Sequence, residues 1–256
     1  GGLSALTVLH HHRVLSQALQ RAVKWRLLTQ NPASAAEPPK PVKKEFRVLD
    51  GNETAALLEA AKGLRLYAPV MLAVTTGLRR GEVVGLKWSD IDLKEPALRV
   101  RRAIGQVNGK ISVKPPKTEK SRRTVVLLNQ TVRDLKRHLL QQKKARLQLG
   151  PTYNKDDWVF PTQLGEVWKP DSLTSAFRKF VARTGSGPLR FQDLRHTHAT
   201  LLLRDGIYVK VVSERLGHAS VAVTLDTYAH VLPGMQGEAA ARLDAIMANA
   251  LAQLHH

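Results

Sequence analysis

The chain contains 256 residues, 43% of them hydrophobic, and lacks cysteine. Its 40 Lys and Arg residues against 21 Asp and Glu residues give a formal charge of +19, which favours a polyanionic partner such as DNA or RNA. Disulfides and thiolate metal sites are excluded, and no apolar run approaches the roughly 18 residues that span a bilayer. The sequence therefore predicts a cytoplasmic protein with no membrane partner and at least one large domain.

The N-terminal region is predicted to be a helix followed by a linker. Residues 4–28 contain neither Pro nor Gly, and their apolar side chains recur at helical spacing. Four prolines then fall within residues 31–41, and proline removes a backbone donor and favours extended chain. A lone helix cannot bury its own apolar face. We therefore expect residues 1–30 to be the C-terminal fragment of a helical domain and residues 31–45 to be a linker.

From residue 46 onward the pattern predicts a mainly α fold with a small antiparallel β-sheet (α+β). Strands are expected at residues 97–104, 110–113 and 123–128, and Asn108-Gly109 is a typical hairpin turn. Gly77 and Gly150-Pro151 are expected to end two of the helices. The predicted helices span residues 52–62, 66–76, 131–149, 171–183, 193–204, 209–216, 221–230 and 237–254.

Positive charge is concentrated in two stretches that also show the apolar periodicity of folded elements. Residues 99–123 carry nine Lys or Arg residues and one Glu, and residues 133–146 carry six and one Asp. Neither stretch has the low complexity of a charged tail. We interpret both as structured basic faces that lie against a phosphate backbone.

Four motifs rich in Arg, Lys, His and Tyr follow one another between residues 76 and 230. They are TGLRRGE at residues 76–82 with LKWSD at 86–90, PKTEKSRRT at 116–124, FQDLRHTHAT at 191–200, and LGH at 216–218 with TYAH at 227–230. In kind and order they resemble the motifs of the tyrosine recombinases, the phage integrase family. The resemblance implies a catalytic domain at residues 46–235. It further implies the end of a core-binding domain at residues 1–30 and, at residues 236–256, a tail helix that docks on a neighbouring protomer.

The resemblance also implies a set of catalytic residues for phosphodiester cleavage. Arg79 and Arg195 would bind two phosphate oxygens, since planar guanidinium groups offer paired donors. Tyr228 would attack phosphorus and leave a covalent 3′-phosphotyrosine. Glu82, one helical turn after Arg79, would orient that guanidinium. This chemistry requires no cofactor and no metal.

Further residues are expected to move protons or to contact DNA. Lys117 would donate a proton to the leaving 5′ oxygen, and His218 would bind a phosphate oxygen or donate a proton, because a pKa near 6.5 permits either. Other basic side chains near the predicted hairpin are expected to contact phosphates: Arg101, Arg102, Lys114, Lys120, Arg122 and Arg123.

Gln192 departs from the family pattern, which has histidine three residues before Arg195. Glutamine donates hydrogen bonds but does not exchange a proton at neutral pH. The chain is then a slower enzyme, an enzyme whose other groups carry proton transfer, or one engineered to hold an intermediate. For the nearby His196 and His198 we expect structural packing.

The function predicted from these features is site-specific DNA recombination of a mobile element, through a Holliday junction. The partners expected are a double-stranded DNA recombination site, further copies of the chain forming a tetramer on DNA, and directionality factors. A bacterial or phage-encoded, nucleoid-associated protein is implied. Two alternatives stay open at this point: a DNA-binding protein with an impaired site, and a relaxing enzyme like the type IB topoisomerases.

Overall fold

The computed structural model describes residues 2–41, 46–114, 121–154, 156–229 and 235–254. Contacts divide the chain into two compact units, Gly1–Glu45 and Phe46–His256. No helix within these described residues is long and apolar enough to cross a membrane. The four-domain assignment made from the sequence remains a prediction.

The first unit is built on helix α1, Ala5–Lys24, which Ser4 caps by accepting a hydrogen bond from the backbone of Thr7. The helix ends four residues before the predicted position. The expected linker is also partly folded, since Pro32–Ala35 forms a short 3₁₀ turn. Asn31 holds this turn against α1 by donating to the backbone oxygen of Ser16, at 3.0 Å. Proline at the first position of a helical turn is favourable, so the prolines do not exclude this turn.

The second unit begins with three helices: α2 at Gly51–Ala61, α3 at Tyr67–Thr76 and α4 at Arg80–Val84. Helix α3 is buried along nearly its whole length and packs on the helix at Asp193–Arg204. Gly77 ends α3 with a φ of 68°, as predicted from the sequence, because a left-handed residue is most easily glycine.

Five short strands follow within the described residues, and they form two antiparallel sheets instead of the one predicted. Strands β1 (Ile91–Asp92), β2 (Ala97–Val100) and β5 (Arg123–Val126) make one sheet in the order β1-β2-β5. Strands β3 (Ala103–Val107) and β4 (Lys110–Lys114) make a separate hairpin.

The predicted strand at residues 97–104 is therefore wrong, because the chain breaks at Arg101 and Arg102. Arg102 turns aside to an ion pair with buried Asp90 and a hydrogen bond to the Gly85 carbonyl. The hairpin turn at Asn108-Gly109 is confirmed, with φ values of 49° and 75°.

Six further helices follow in the part of the chain that the structure describes. They are α5 (Asn129–Leu149), α6 (Pro170–Thr184), α7 (Asp193–Arg204), α8 (Val209–Leu216), α9 (Val221–Tyr228) and α10 (Met235–Leu254). Gly150 follows α5 as predicted. The predicted last residue of α9, at position 230, lies outside the described residues.

Buried apolar side chains form a large cluster and a smaller one. The large cluster joins α2, α3, α6 and the three-stranded sheet, around fully buried residues such as Val70 and Leu72. The smaller cluster lies between α7, α8 and α9 and contains Leu203, Leu216 and Tyr228. Because Tyr228 is part of a packed core, the position of its hydroxyl is fixed by its neighbours.

Candidate active site

Arg79 and Glu82 are joined at the start of α4. The Glu82 carboxylate accepts hydrogen bonds from the backbone N–H of Arg79 at 2.9 Å and from its Nη1 at 3.0 Å. The second guanidinium nitrogen donates to the Gly217 carbonyl at 3.3 Å. The Arg79 side chain remains 39% exposed, so this guanidinium is held in place and still reachable by a ligand.

Arg123 is the second partner of Glu82, and the sequence analysis misplaced it. Its Nη2 and Nη1 donate to the two carboxylate oxygens at 2.9 and 3.2 Å, and its Nε donates to the Arg215 carbonyl. With only 5% of its side chain exposed, Arg123 does not offer the surface phosphate contact that we expected. Its buried side chain instead links β5 to α4, through Glu82, and to the end of α8, through the Arg215 carbonyl.

The charge of Glu82 is maintained by its two arginine partners. Burial alone raises the pKa of this carboxyl group, but the hydrogen bond and charge of Arg123 and the contacts of Arg79 outweigh it. The net pKa of Glu82 lies below its ordinary value. Glu82 is therefore an anion that fixes two guanidinium groups at once.

Arg195 lies in the first turn of α7 and connects two helix ends. Its Nη1 donates to the Gly77 carbonyl and its Nη2 to the Leu216 carbonyl, each at 2.7 Å. Burial and then the nearby charge of Arg79 lower the pKa of Arg195 to about 9, which leaves it protonated at neutral pH. The Arg195 and Arg79 guanidinium groups thus bind the carbonyls of two consecutive residues, Leu216 and Gly217.

His218 follows directly after those two carbonyls. Gly217 ends α8 with a φ of 65°, and the Nδ1 of His218 pairs with the Thr224 hydroxyl at 2.7 Å. Burial, together with the charges of Arg195 and Arg79, lowers the pKa of His218 to about 4. This pKa is lower than the ordinary value near 6.5 that was expected from the sequence. In the free protein His218 is neutral, so it is suited to donating a hydrogen bond from its ring.

Tyr228 is the last residue of α9 and is 1% exposed. Its hydroxyl is 2.9 Å from the Nδ1 of His196. Burial raises the pKa of Tyr228 to about 12, against the opposing charges of Arg195 and Arg79. The phenol is therefore protonated at neutral pH, and those two arginines are close enough to act on it.

His196 is a site residue that the sequence analysis missed. We expected structural packing, which describes His198, whose buried ring pairs with the Val74 carbonyl at 2.9 Å. His196 instead contacts the Tyr228 hydroxyl, and the ring of Phe46 stacks on it with centroids 4.0 Å apart. Its partners are distant in sequence, so spacing within one motif gave no signal.

The remaining predicted residues fall into three groups. Gln192 is exposed at the start of α7, and its side chain makes no capping hydrogen bond. Lys117 and Lys120 lie outside the described residues. Of the other expected DNA contacts, Arg102 is largely enclosed and engaged with Asp90, whereas three are exposed: Arg101, Lys114 and Arg122. Arg101 forms a longer ion pair with the same carboxylate, at 3.8 Å.

Within the described part of the chain no group of three or more His, Cys, Asp or Glu side chains could hold a metal ion. The candidate active site consists of guanidinium groups, the Glu82 carboxylate, neutral imidazoles and a phenol. Such a set can bind an anion and supply a nucleophile. It comprises Arg79, Glu82, Arg195, His196, His218 and Tyr228.

Residues 47–234 match the model of the phage integrase family. The chain belongs to the phage integrase family. A tyrosine recombinase XerC-like protein of Caldanaerobacter subterraneus is 34% identical over 261 residues, covering 95% of this chain and 67% of the relative. The chain spans about two thirds of the length of that relative. As the motifs predicted, it is a site-specific DNA recombinase of the tyrosine type, and the alternatives are not favoured.

Solved structures confirm the predicted fold class. The Tn1549 transposon integrase in complex with transposon right end DNA has a TM-score of 0.81 at 20% identity, covering 96% of this chain and 81% of the other. A lambda integrase tetramer bound to a Holliday junction has a TM-score of 0.53 at 23% identity, covering 82% and 57%. At these identities the likeness concerns the fold alone.

Proposed function

We propose that this family member cleaves and rejoins double-stranded DNA at a recombination site through a 3′-phosphotyrosine at Tyr228. One observation carries the assignment of residues. Arg79 and Arg195 bind the carbonyls of Gly217 and Leu216, directly before His218, so two guanidinium groups and an imidazole meet at one helix end. Both arginines act on the pKa of Tyr228.

The reaction follows from the charges of these groups. A phosphodiester between the two guanidinium groups gains paired donors for its non-bridging oxygens, which stabilise the charge of the transition state. The Tyr228 oxygen attacks phosphorus, and the bond to the 5′ oxygen breaks. Lys117 remains our proposed donor of the proton that this oxygen takes up. Because the phosphate ester is retained on tyrosine, the step can be reversed by a 5′ hydroxyl of another strand.

In this proposal, Tyr228 becomes accessible when DNA binds. Tyr228 is 1% exposed in the free protein, so the side chains that cover it shift when the phosphate enters. Exposed basic residues hold the DNA backbone meanwhile. We retain Arg101, Lys114 and Arg122 in that role and withdraw Arg102 and Arg123, whose donors serve Asp90 and Glu82.

The active assembly is proposed to be a tetramer on DNA, as in the lambda integrase complex with a Holliday junction. Helix α10 supports this, because it exposes apolar side chains that a neighbouring protomer can cover: Leu243, Ile246, Met247 and Leu251. Residues 236–256 would be the docking tail and residues 46–235 the catalytic domain. Residues 1–30 would complete a core-binding domain and 31–45 would link the two. Directionality factors remain an expectation.

Covalent capture tests the proposal. The chain and its Tyr228→Phe variant are incubated with a nicked, random-sequence double-stranded DNA library and denatured in detergent, and the DNA that stays attached is sequenced. Adducts that require Tyr228 and share a sequence are expected. Adducts that persist in Tyr228→Phe would refute the assigned nucleophile. Two proteins that bind the library and retain none of it would refute cleavage.

A further inference from the structure

The contact between Tyr228 and His196 places an imidazole directly on the nucleophilic oxygen. The two atoms are 2.9 Å apart, within the range of a direct hydrogen bond. Phe46 contacts both rings of this pair. It stacks on the His196 ring, and it meets the Tyr228 ring edge-on with centroids 5.7 Å apart. The hydrogen bond is therefore part of a fixed three-ring arrangement.

The direction of this hydrogen bond follows from the tautomer of the neutral His196 ring. Tyr228 keeps its proton because burial raises its pKa to about 12, and burial lowers the pKa of His196 to about 4. A neutral imidazole with its proton on Nε2 presents a lone pair at Nδ1. In that tautomer, which the proposal assigns, the phenol is the donor and His196 the acceptor.

The charged groups around His196 oppose one another. Asp193 raises its pKa, whereas Arg195 and Arg190 lower it, and all three come from or adjoin α7. From the end of α8, the ring of His218 also faces it. A phosphate bound at Arg195 brings negative charge beside the same imidazole, which favours its protonated form.

Another acceptor of this kind is missing at the position where the family pattern places one. Gln192 has an amide side chain, which does not take up a proton at neutral pH, and it is exposed at the start of α7. His218 pairs through Nδ1 with the hydroxyl of Thr224. Among the described residues that we assign to the site, His196 is the base in contact with the phenol.

We infer that His196 is a catalytic residue, the acceptor of the Tyr228 proton during cleavage; this rests on the proposed role of Tyr228 as nucleophile. The O–H bond of Tyr228 breaks and its proton goes to Nδ1, while the phenolic oxygen forms a bond to phosphorus. The bond from phosphorus to the 5′ oxygen breaks, and that oxygen takes a proton from the general acid. In rejoining, the proton returns from His196 to the phenolic oxygen.

The high pKa of Tyr228 and the low pKa of His196 do not prevent this proton transfer. As the phenolic oxygen bonds to phosphorus its proton becomes far more acidic, so an acceptor weaker than free phenolate still removes it in the transition state. General base catalysis of this kind contributes about 10²–10⁴-fold to a rate. Removal of His196 is expected to cost a factor in that range.

The test compares single-turnover adduct formation by the unchanged chain and by His196→Gln, on a nicked oligonucleotide carrying the site recovered from the DNA library. His138→Gln is the matched control, because His138 is also largely buried and hydrogen-bonded, to the Val159 carbonyl at 2.7 Å, away from the site. We expect a loss of about 10²–10⁴-fold for His196→Gln and less than tenfold for the control.

The pH profile separates a proton acceptor from a structural group. Without an acceptor the reaction needs phenolate already formed, so the His196→Gln rate should rise about tenfold per pH unit above neutrality, while the unchanged chain stays nearly flat. Added imidazole should partly restore His196→Ala. An equal loss at every pH without imidazole rescue, or no loss, would overturn the inference.

Two controls keep the outcomes distinct. Thermal unfolding shows whether His196→Gln folds; if it does not, His196→Asn is measured in its place. 3-Fluorotyrosine at position 228, a more acidic phenol, should shrink the deficit of the variant, and an unchanged deficit would count against proton transfer. Adducts that form in Tyr228→Phe would instead refute the proposed function, and this inference with it.

Discussion

At the scale of single residues, Glu82 determines the position of two guanidinium groups. Its carboxylate binds both Arg79, whose side chain is partly exposed to solvent, and Arg123, whose side chain is buried. The i,i+3 contact with Arg79 was predictable because it is local. The contact with Arg123 spans 41 residues and depends on the fold, so the sequence analysis placed Arg123 on the surface.

Glu82→Gln should destabilise the protein by about 3–5 kcal/mol at neutral pH, because it leaves buried Arg123 without its anion. The folded-state pKa of Glu82 lies below its ordinary value, so its stabilising charge is fully present above that value and is lost as pH falls through the folded pKa. Denaturant unfolding at several pH values measures this.

The unchanged chain should thus lose stability below about pH 4.3 with a component that Glu82→Gln lacks. Glu59→Gln is the control, since Glu59 forms an exposed ion pair with Lys62. Equal acid sensitivity in the unchanged chain and Glu82→Gln would show that Glu82 is not the group responsible.

His196 shows the same limit of sequence reasoning, because it was expected to have a structural role and instead contacts Tyr228. Its position beside Arg195 in the motif is obvious in the sequence, but its partner Tyr228 is 32 residues away and is brought to it by the packing of α9 on α7 and α8. The resemblance of the motifs to those of the family identified Arg79, Arg195, His218 and Tyr228 as candidates. It could not identify a pairwise contact between separate helices.

At the scale of elements, helix ends position the site. Gly77 ends α3, and its carbonyl accepts a hydrogen bond from Arg195 at 2.7 Å. A Cβ atom at Gly77 would meet the side chains of His198 and Leu216 at 2.7 Å each. Both the left-handed backbone and the lack of space therefore require glycine here.

Gly77→Ala is expected to destabilise the protein by about 2–5 kcal/mol, from left-handed strain of about 1–2 and overpacking of about 1–3. Gly63→Ala separates these effects, because Gly63 has a similar φ of 77° but no atom within 4 Å of an added Cβ. It should lose about 1–2 kcal/mol. Equal losses, measured by denaturant unfolding, would contradict the packing argument.

Most elements were predictable because their signals are local, and the exceptions are instructive. Glycine at 77 and Asn108-Gly109 mark a helix end and a turn through their own backbone preferences. The break after β2 has no such signal. It depends on Arg102 reaching Asp90, which lies 12 residues earlier, and β-branched residues on either side suggested one continuous strand.

At the scale of the whole molecule, the charge of +19 predicts DNA binding that weakens steeply with salt. Arg122→Ala should reduce the slope of log affinity against log salt by about 1, because an exposed phosphate contact releases about one counterion. Gln130→Ala, an exposed neutral change, should leave the slope unaltered. Equal slopes for all three proteins in fluorescence anisotropy titrations would remove Arg122 from the DNA contacts.

Assembly is the second property of the whole molecule that can be tested. Leu243→Asp combined with Ile246→Asp should abolish tetramers on DNA, because charge on the apolar side of α10 cannot be buried between protomers. Ala245→Asp adds charge to the opposite side of the exposed helix and should preserve them. Mass photometry of the DNA complexes gives the count, and tetramers in the double variant would exclude this docking face.

The two carbonyl anchors of Arg195 also link the site to the order in which the protein is made. They come from residues 118 positions before it and 21 positions after it. The arginine therefore has no fixed place until α3, α7 and α8 have all docked. Tyr228 is synthesised later still. A nascent or partly folded chain consequently lacks both the anchored Arg195 guanidinium and the buried Tyr228.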